Sequence, residues 1–243
     1  MGGSSLLMSA EEMVAYLKKT KLPTLIVEGT GDKALLRRVE TELKELQVDI
    51  LPIGGKDSLD AVYAQRAEYT EATIGFLRDL DCWVVNGVPV GYEDVIFTSG
   101  YSIENDVIHS GVVATLAGTM LNSLHIRVDL VANWFKHVVY AAHLGDDVDI
   151  ARDVSSILQG DDYHPTALAD LHKNPGGDDF FRRFEGDAWV WLRGKTLLRL
   201  IQDHLSKASP SYSKDQIVDL CIKMGPSPSF LNLVGRIKLR FTK

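Results

Sequence analysis

The sequence predicts an α/β fold with a mainly parallel four-stranded sheet flanked by helices, followed by a largely helical C-terminal region. Before about residue 100, short apolar segments rich in β-branched and aromatic residues alternate with amphipathic segments of helical length, which is typical of right-handed β-α-β crossovers. Beyond residue 106, longer helical patterns dominate. We therefore divide the chain into a flexible leader at 1–9, an α/β domain at 10–106, and a mostly helical region with a basic tail at 107–243.

The elements of the α/β domain follow from local signals in chain order. A helix begins at Ala10, because Ser9 is a suitable N-cap and Glu12 completes a capping box with it. Four short apolar segments then indicate strands, and the amphipathic segments between the first three indicate helices. The predicted strands cover 24–28, 48–53, 72–79 and 94–98, and the predicted helices cover 32–46 and 59–70.

The C-terminal region shows the same signals over longer stretches. Apolar residues recur at helical spacing over 107–121, 124–144, 194–205 and 214–224. Between 150 and 190, prolines and glycines break the chain into short pieces. The last segment, 235–243, alternates basic and apolar residues strictly, which predicts a strand with a basic face.

Composition is that of an ordinary globular protein. The 243 residues are 45% hydrophobic and 24% charged, and the net charge is −7. No apolar run is long enough to span a bilayer and no signal-peptide pattern is visible, so we expect a cytoplasmic protein that does not enter a membrane. Cys82 and Cys221 match no metal-binding spacing and are expected to be two buried thiols.

The charge is distributed unevenly along the chain. From Trp191 onward there are ten basic and three acidic residues, so the part before it is strongly acidic. An acidic end and a basic tail would together suit a polyanionic substrate. A few separate solvated faces explain the pattern equally well.

Acidic residues follow two of the predicted strands where each strand ends. Glu28 ends the first strand, and Asp79 and Asp81 end the third, where an extended backbone would direct both side chains the same way. Open α/β folds bind their ligands at this carboxyl edge of the sheet. Three carboxylates there would repel one another without a cation, and Mg²⁺ prefers oxygen ligands. A single acid after a strand usually just ends it, but two strands ending in acid favour a metal site.

Basic residues are candidate contacts for a phosphate. Lys56 follows the second strand and could contact a phosphate or stabilise developing charge, although a plain surface lysine fits the pattern as well. Lys195 lies in a Gly-Lys-Thr string that resembles the end of a P-loop, but Trp189 occupies a position where that loop needs glycine. We therefore exclude ATP binding, and Lys195 either contacts phosphate or only begins a helix.

The basic residues of the tail have two explanations. On an edge strand they could contact a nucleic-acid backbone, or they could simply prevent edge-to-edge aggregation. These candidate nucleic-acid contacts are Arg236, Lys238 and Arg240.

The order of several strings resembles a known family. A strand ending in Glu-Gly, a helix, and a later strand ending in Asp-x-Asp resemble the Toprim domain of topoisomerases, bacterial primases and OLD-type nucleases over roughly residues 20 to 110. More narrowly, VEGTGDKALLRRV, PIGGKDSL, GFLRDLDCW and TSGYSIENDVI occur in the order seen in the AriB-like family of PARIS anti-phage systems. The strings at 101–105 and 192–195 add to this resemblance.

The resemblance implies a Toprim-type fold and a nuclease that cleaves DNA or RNA, with tRNA among the options. It implies that Glu28 is a metal ligand or general acid/base, and that Asp79 and Asp81 are metal ligands. It adds Glu104 as a further acid of the site. It also implies that Asp32, four residues after Glu28, is the second acid that OLD-like nucleases carry, although helix capping explains Asp32 equally well. Two Mg²⁺ or Mn²⁺ ions about 4 Å apart would then hold the scissile phosphate and activate a water.

The resemblance also implies a toxic effector that is controlled by a separate ABC-type ATPase. An alternative is a non-catalytic sensor or interaction module with a Toprim fold, whose acidic edge binds a metal or nucleotide without chemistry. A primase or topoisomerase activity is less well supported, because no zinc ribbon accompanies the Toprim-like segment. Exposed helices in the second half would suit a homodimer or a docked partner equally well.

Overall fold

A computed structural model of the chain describes residues 8–29, 33–108, 113, 115, 121–173, 177–206 and 212–242. It confirms the predicted α/β class, because an all-parallel four-stranded sheet is flanked by helices and a helical region follows. Of the predicted leader at 1–9, residues 1–7 lie outside the described residues.

The chain forms two compact units that interleave in sequence, whereas the predicted domains met at a single boundary at residue 106. The first unit comprises Met1–Asp79, Pro89–Thr98 and Pro228–Lys243, and the second comprises Leu80–Val88 and Ser99–Ser227.

The strands of the first unit form one parallel sheet in the order β2-β1-β3-β4. Val27 at the end of β1 is paired with Pro52 on one side and with Leu77 on the other, so these three strands end at nearly the same level. The strands are β1 Thr24–Val27, β2 Asp49–Pro52, β3 Ile74–Arg78 and β4 Val95–Phe97.

This strand order creates a topological switch point between β1 and β3. The chain leaves β1 towards β2 on one side, and then crosses from β2 to β3 on the other side of β1. The connections at the carboxyl ends of β1 and β3 therefore diverge, and in open α/β sheets the crevice formed in this way is where ligands bind.

Helices make up most of the remaining described structure. The first one begins at the predicted capping box, in which Ser9 and Glu12 exchange backbone and side-chain hydrogen bonds. The helices are α1 Ala10–Leu17, α2 Lys33–Leu43, α3 Lys56–Ala64, α4 Trp83–Asn86, α5 Ile103–Val107, α6 Leu121–His143, α7 Pro165–Lys173, α8 Asp178–Phe181, α9 Ala188–Trp191, α10 Gly194–Ser206, α11 Lys214–Met224 and α12 Pro228–Phe241.

One face of the sheet is covered by α1 and α3. Leu17 of α1, Leu59 of α3 and Phe76 of β3 belong to a single buried apolar cluster with Ile26 of β1. Because successive strand residues face opposite sides, Leu25 and Gly75 lie on the other face. A Cβ at Gly75 would be 2.9 Å from the Phe241 ring, so α12 packs closely against that face.

The predicted strand at 235–243 was wrong, because residues 235–241 belong to α12 and Lys243 lies outside the described residues. The buried residues of α12 recur at helical spacing, and Pro228 at its first position is compatible with a helix start. The alternation of basic and apolar residues over 235–241 is part of a helical pattern that begins at Pro228. The buried residues are Phe230, Leu233, Val234 and Ile237.

The second unit is largely helical, as predicted for this part of the chain. The predicted helices at 124–144, 194–205 and 214–224 are confirmed as α6, α10 and α11, whereas the one predicted at 107–121 falls mostly outside the described residues. A small antiparallel hairpin joins β5 Leu158–Gln159 and β6 Asp162–Tyr163. In the described part of the chain, no helix is both long enough and apolar enough to cross a membrane.

Candidate functional site

Glu28 and Asp79 flank the switch point of the sheet. Glu28 directly follows β1 and Asp79 directly follows β3, and both residues are half-buried. The backbone N–H of Asp79 donates a hydrogen bond to the Glu28 carboxylate at 3.3 Å, and the Glu28 N–H donates to Leu77 at 3.3 Å. The sequence-based expectation that acids from two strands meet at one edge is confirmed for this pair.

The turn after β2 also holds Glu28. The N–H groups of Gly54 and Gly55 donate to the Glu28 carbonyl oxygen at 3.1 and 2.9 Å. Both glycines have positive φ, 86° and 140°, which a side chain would strain. Lys56 follows at once as the first residue of α3, and it is exposed. The segments that follow β2 and β3 therefore both donate hydrogen bonds to Glu28, which follows β1 between them.

Arg78, one residue before Asp79, is a buried arginine that forms an ion pair. Arg78 is only 4% exposed, and its Nε and Nη2 lie 3.3 Å from the two carboxylate oxygens of Asp60 in α3. Its guanidinium also lies 5.5 Å from the centre of the Tyr92 ring. Burial, and then the Asp60 charge, raises the pKa of Tyr92. This pair was not predicted from the sequence, although the single arginine in a strand of apolar residues indicated that its charge needs a partner.

Asp81 does not continue β3, contrary to the expectation that it and Asp79 share an extended backbone. The strand ends at Arg78, and Asp81 has a left-handed φ of 50° in a turn at the start of the second unit. Its N–H donates to the carbonyl oxygen of Tyr101 at 2.8 Å. The extended geometry was wrong because a turn closed by a hydrogen bond from the Trp83 N–H to the Leu80 carbonyl oxygen follows shortly after the strand.

Glu104, the further acid implied by the resemblance, belongs to the second unit. It lies in α5 and is 1% exposed, and neither of its carboxylate oxygens has a hydrogen-bond partner among the described residues. Its neighbour Asn105 donates through Nδ2 to the carbonyl oxygens of Trp189 and Leu192 at 2.7 and 2.8 Å. The segment around Glu104 is therefore bonded to the chain just before α10.

The two strings at 101–105 and 192–195, which add to the resemblance, contact each other within the second unit. A Cβ at Gly194 would collide with the Ser102 hydroxyl and would lie 2.8 Å from Asn105 Oδ1. Only a glycine permits this approach. Their contact was not visible in the sequence, where about ninety residues separate them.

Asp106 holds the turn that follows β4. Its carboxylate accepts hydrogen bonds from the N–H groups of Ser99 and Gly100 at 2.9 to 3.0 Å. The Ser227 hydroxyl donates to its backbone carbonyl. Because the Asp106 carboxylate already binds the amides of Ser99 and Gly100, this segment is a structural turn.

The candidate nucleic-acid contacts have different surroundings. Lys195, the second residue of α10, is exposed. In the first unit, Lys238 Nζ lies 3.6 Å from a Glu42 carboxylate oxygen, and Arg240 donates through Nε and Nη2 to the Ile74 carbonyl at 3.0 and 2.8 Å. Arg236 is half-buried. Two of the three basic tail residues thus contact other residues of the first unit.

Among the described residues, the structure brings together fewer candidate ligands for a divalent cation than the sequence predicted. Asp32 lies outside the described residues. Within the described ranges, no group of three or more His, Cys, Asp or Glu residues is arranged to hold a metal ion. The adjacent Glu28 and Asp79 still fit Mg²⁺, which is commonly bound by one or two carboxylates and completes its shell with water and substrate oxygens.

Both cysteines are free thiols. Cys221 is buried, and burial raises its pKa to about 11. Cys82 is only half-buried, so the expectation of two buried thiols is correct for Cys221 alone.

No protein-family model matches the chain, and no curated protein matches it at a significant level. The resemblance to the Toprim domain therefore depends on the quoted strings and their order.

Proposed function

We propose that this protein is a metal-dependent nuclease that cleaves phosphodiester bonds of DNA or RNA at the edge formed by Glu28 and Asp79. The main support is that Glu28 and Asp79 follow the two strands on either side of the switch point, and that the backbone N–H of Asp79 donates a hydrogen bond to the Glu28 carboxylate. A bound Mg²⁺ or Mn²⁺ would supply charge neutralisation and a water of lowered pKa at this point.

The protein residues would have separate roles in this activity. Glu28 and Asp79 bind and orient the cation. Asp81 and Glu104, the further acids predicted from the sequence, belong to the second unit. Lys56 would contact a phosphate oxygen, since it follows the turn whose amides hold Glu28. Gly54 and Gly55 keep the backbone of Glu28 fixed, and a fixed ligand needs no rearrangement during the reaction.

We further propose that the chain acts in the cytoplasm as a toxic effector controlled by a separate ABC-type ATPase. The support for this part is the order of the four quoted strings. The lack of a P-loop glycine at Trp189 is consistent with a partner that hydrolyses the ATP.

A cleavage assay with matched variants tests the proposal. The purified chain should cleave DNA or RNA with Mg²⁺ or Mn²⁺, and Glu28→Gln or Asp79→Asn should lower the rate by about a hundredfold or more. Glu45→Gln is the control, because Glu45 is an exposed acid in a 3₁₀ turn after α2. Unchanged cleavage by a folded Glu28→Gln variant would refute the proposal. Metal binding without cleavage of any nucleic acid would instead support the sensor alternative.

A further inference from the structure

The second unit contains an open cavity of about 760 Å³ that the proposed function does not use. It lies between one face of α6 and the segment from Gly186 to Trp191. Its volume is within the range of small-molecule binding sites, roughly 300 to 1,000 Å³. All of its lining residues belong to the second unit, so the cavity does not depend on Glu28 or Asp79.

The cavity combines an apolar floor with polar groups from one helix face. Val128, Ala132, Trp189 and Trp191 are buried and provide the floor. The polar lining residues of α6 follow one another at intervals of three or four, which places them in a row along that face. They are His125, Asp129, Asn133 and Lys136.

Some of these polar groups already have intramolecular contacts. Asn133 donates to the Tyr163 hydroxyl at 3.1 Å, and Asp187 accepts from the Trp189 N–H at 3.0 Å. Lys136 Nζ lies 5.1 Å from the centre of the Trp191 ring. Asp129 is exposed and makes no hydrogen bond or ion pair with any described residue. Its carboxylate is therefore an acceptor available to a ligand.

We propose that this cavity binds a guanine base. A carboxylate accepts only, and guanine presents adjacent N1–H and N2–H donors that a single carboxylate can satisfy. An ammonium donates only, and guanine O6 and N7 are acceptors. Asp129 would accept from the first edge, and Lys136, two turns further along the same helix face, would donate to the second. The indole-lined floor would cover the apolar face of the ring.

The same groups disfavour other ligands. Adenine places the N1 acceptor beside its amino group, and that lone pair would face the Asp129 carboxylate unfavourably. The two negative charges of Asp129 and Asp187 exceed the single positive charge of Lys136, so the cavity would repel a phosphate. The site would therefore recognise a base and not a phosphate. The base could come from a free nucleoside or from an unpaired position in a strand.

Calorimetry on the full chain tests this site with guanosine, adenosine and guanosine monophosphate. Guanosine should bind at least about tenfold more tightly than adenosine, which corresponds to about 1.4 kcal/mol, and the monophosphate should bind no more tightly than guanosine. Asp129→Asn should weaken guanosine binding and reduce its preference over adenosine, because an amide can donate to adenine N1. Asp147→Asn is the matched control, since Asp147 is exposed in the second unit and does not line the cavity.

A second arm uses the Glu28→Gln variant and short oligonucleotides that carry one unpaired guanine or one unpaired adenine. Tight binding of the guanine strand without binding of guanosine would assign the site to a base within a strand. Failure of both guanosine and the guanine strand to bind would overturn the proposal. Equal binding of guanine and adenine ligands, or binding unaffected by Asp129→Asn, would overturn it as well. None of these results depends on cleavage at Glu28.

Discussion

The acids that follow β1 and β3 and the acids of α5 have different surroundings, although all of them lie in recognisable strings. Glu28 and Asp79 are half-buried at the edge of the sheet, where a ligand can approach. Glu104 and Asp106 are each 1% exposed inside the second unit, and Asp106 binds the backbone amides of Ser99 and Gly100. A string of polar residues can therefore present groups to a ligand or hold the scaffold, and burial with hydrogen bonding separates the two cases.

If buried acids hold the scaffold, the largest loss in the free energy of unfolding is expected on substitution of Asp106. Asp106→Ala removes the acceptor of the Ser99 and Gly100 amides, and Gly100 is buried. Hydrogen bonds to a charged group contribute roughly 1.5 to 3 kcal/mol each, so we expect a loss of about 3 kcal/mol in the free energy of unfolding. Urea denaturation measures it, and Asp106→Asn should lose less. A loss below about 0.5 kcal/mol would mean that the acid does not hold this turn.

A somewhat smaller effect is expected at Asp60. Asp60→Ala leaves the nearly buried Arg78 without its carboxylate. Breaking a fully buried pair costs roughly 3 to 5 kcal/mol, but Asp60 is 30% exposed, so we expect about 2 kcal/mol. The control is Asp57→Ala, because Asp57 is exposed in the same helix. If Arg78→Met restores no stability to the Asp60→Ala variant, the loss does not come from the unpaired guanidinium.

The sequence predicted the α/β class, most strand positions and the meeting of Glu28 with Asp79, because short apolar segments and their terminal acids are local signals. The strand order was not predicted, since it depends on which strands pair across the sheet. The Arg78–Asp60 pair and the contact of Gly194 with Asn105 were not predicted either, because each joins segments that are separated in the sequence.

The helix α12 illustrates how a local pattern can mislead. Over 235–241 the alternation of basic and apolar residues fits a strand as well as it fits part of a helix. Packing decides between them, because Phe241 lies against Gly75 on the sheet.

Gly75 gives a test of that packing with a moderate expected effect. The added methyl group of Gly75→Ala would lie 2.9 Å from the Phe241 ring, so the ring must move. Overpacking of this kind costs typically 1 to 3 kcal/mol, and we expect about 1 to 2 kcal/mol from urea denaturation because the ring is near the end of α12. The smaller side chain in Phe241→Leu should reduce the cost of Gly75→Ala. Additive losses in the double variant would contradict the close contact.

The smallest effect is expected at Lys238. Its pair with Glu42 joins partly exposed side chains 3.6 Å apart, so Lys238→Ala should change the free energy of unfolding by less than about 0.5 kcal/mol. Its effect on nucleic-acid affinity is informative when compared with Lys195→Ala. The Lys195 side chain is exposed and makes no hydrogen bond or ion pair with a described residue, so Lys195→Ala should weaken binding more than Lys238→Ala. The reverse order would indicate that the tail, and not α10, contacts the strand.

The most direct test of the metal site at the switch point is the affinity of the folded chain for Mn²⁺, measured by calorimetry. Removing a charged ligand should weaken binding by at least about tenfold in both Glu28→Gln and Asp79→Asn, which corresponds to about 1.4 kcal/mol. Glu45→Gln should bind Mn²⁺ like the unaltered chain, because Glu45 is exposed and precedes β2, at the edge of the parallel sheet opposite to the carboxyl ends of the strands. Unchanged Mn²⁺ affinity in both folded site variants would contradict a metal site formed by Glu28 and Asp79.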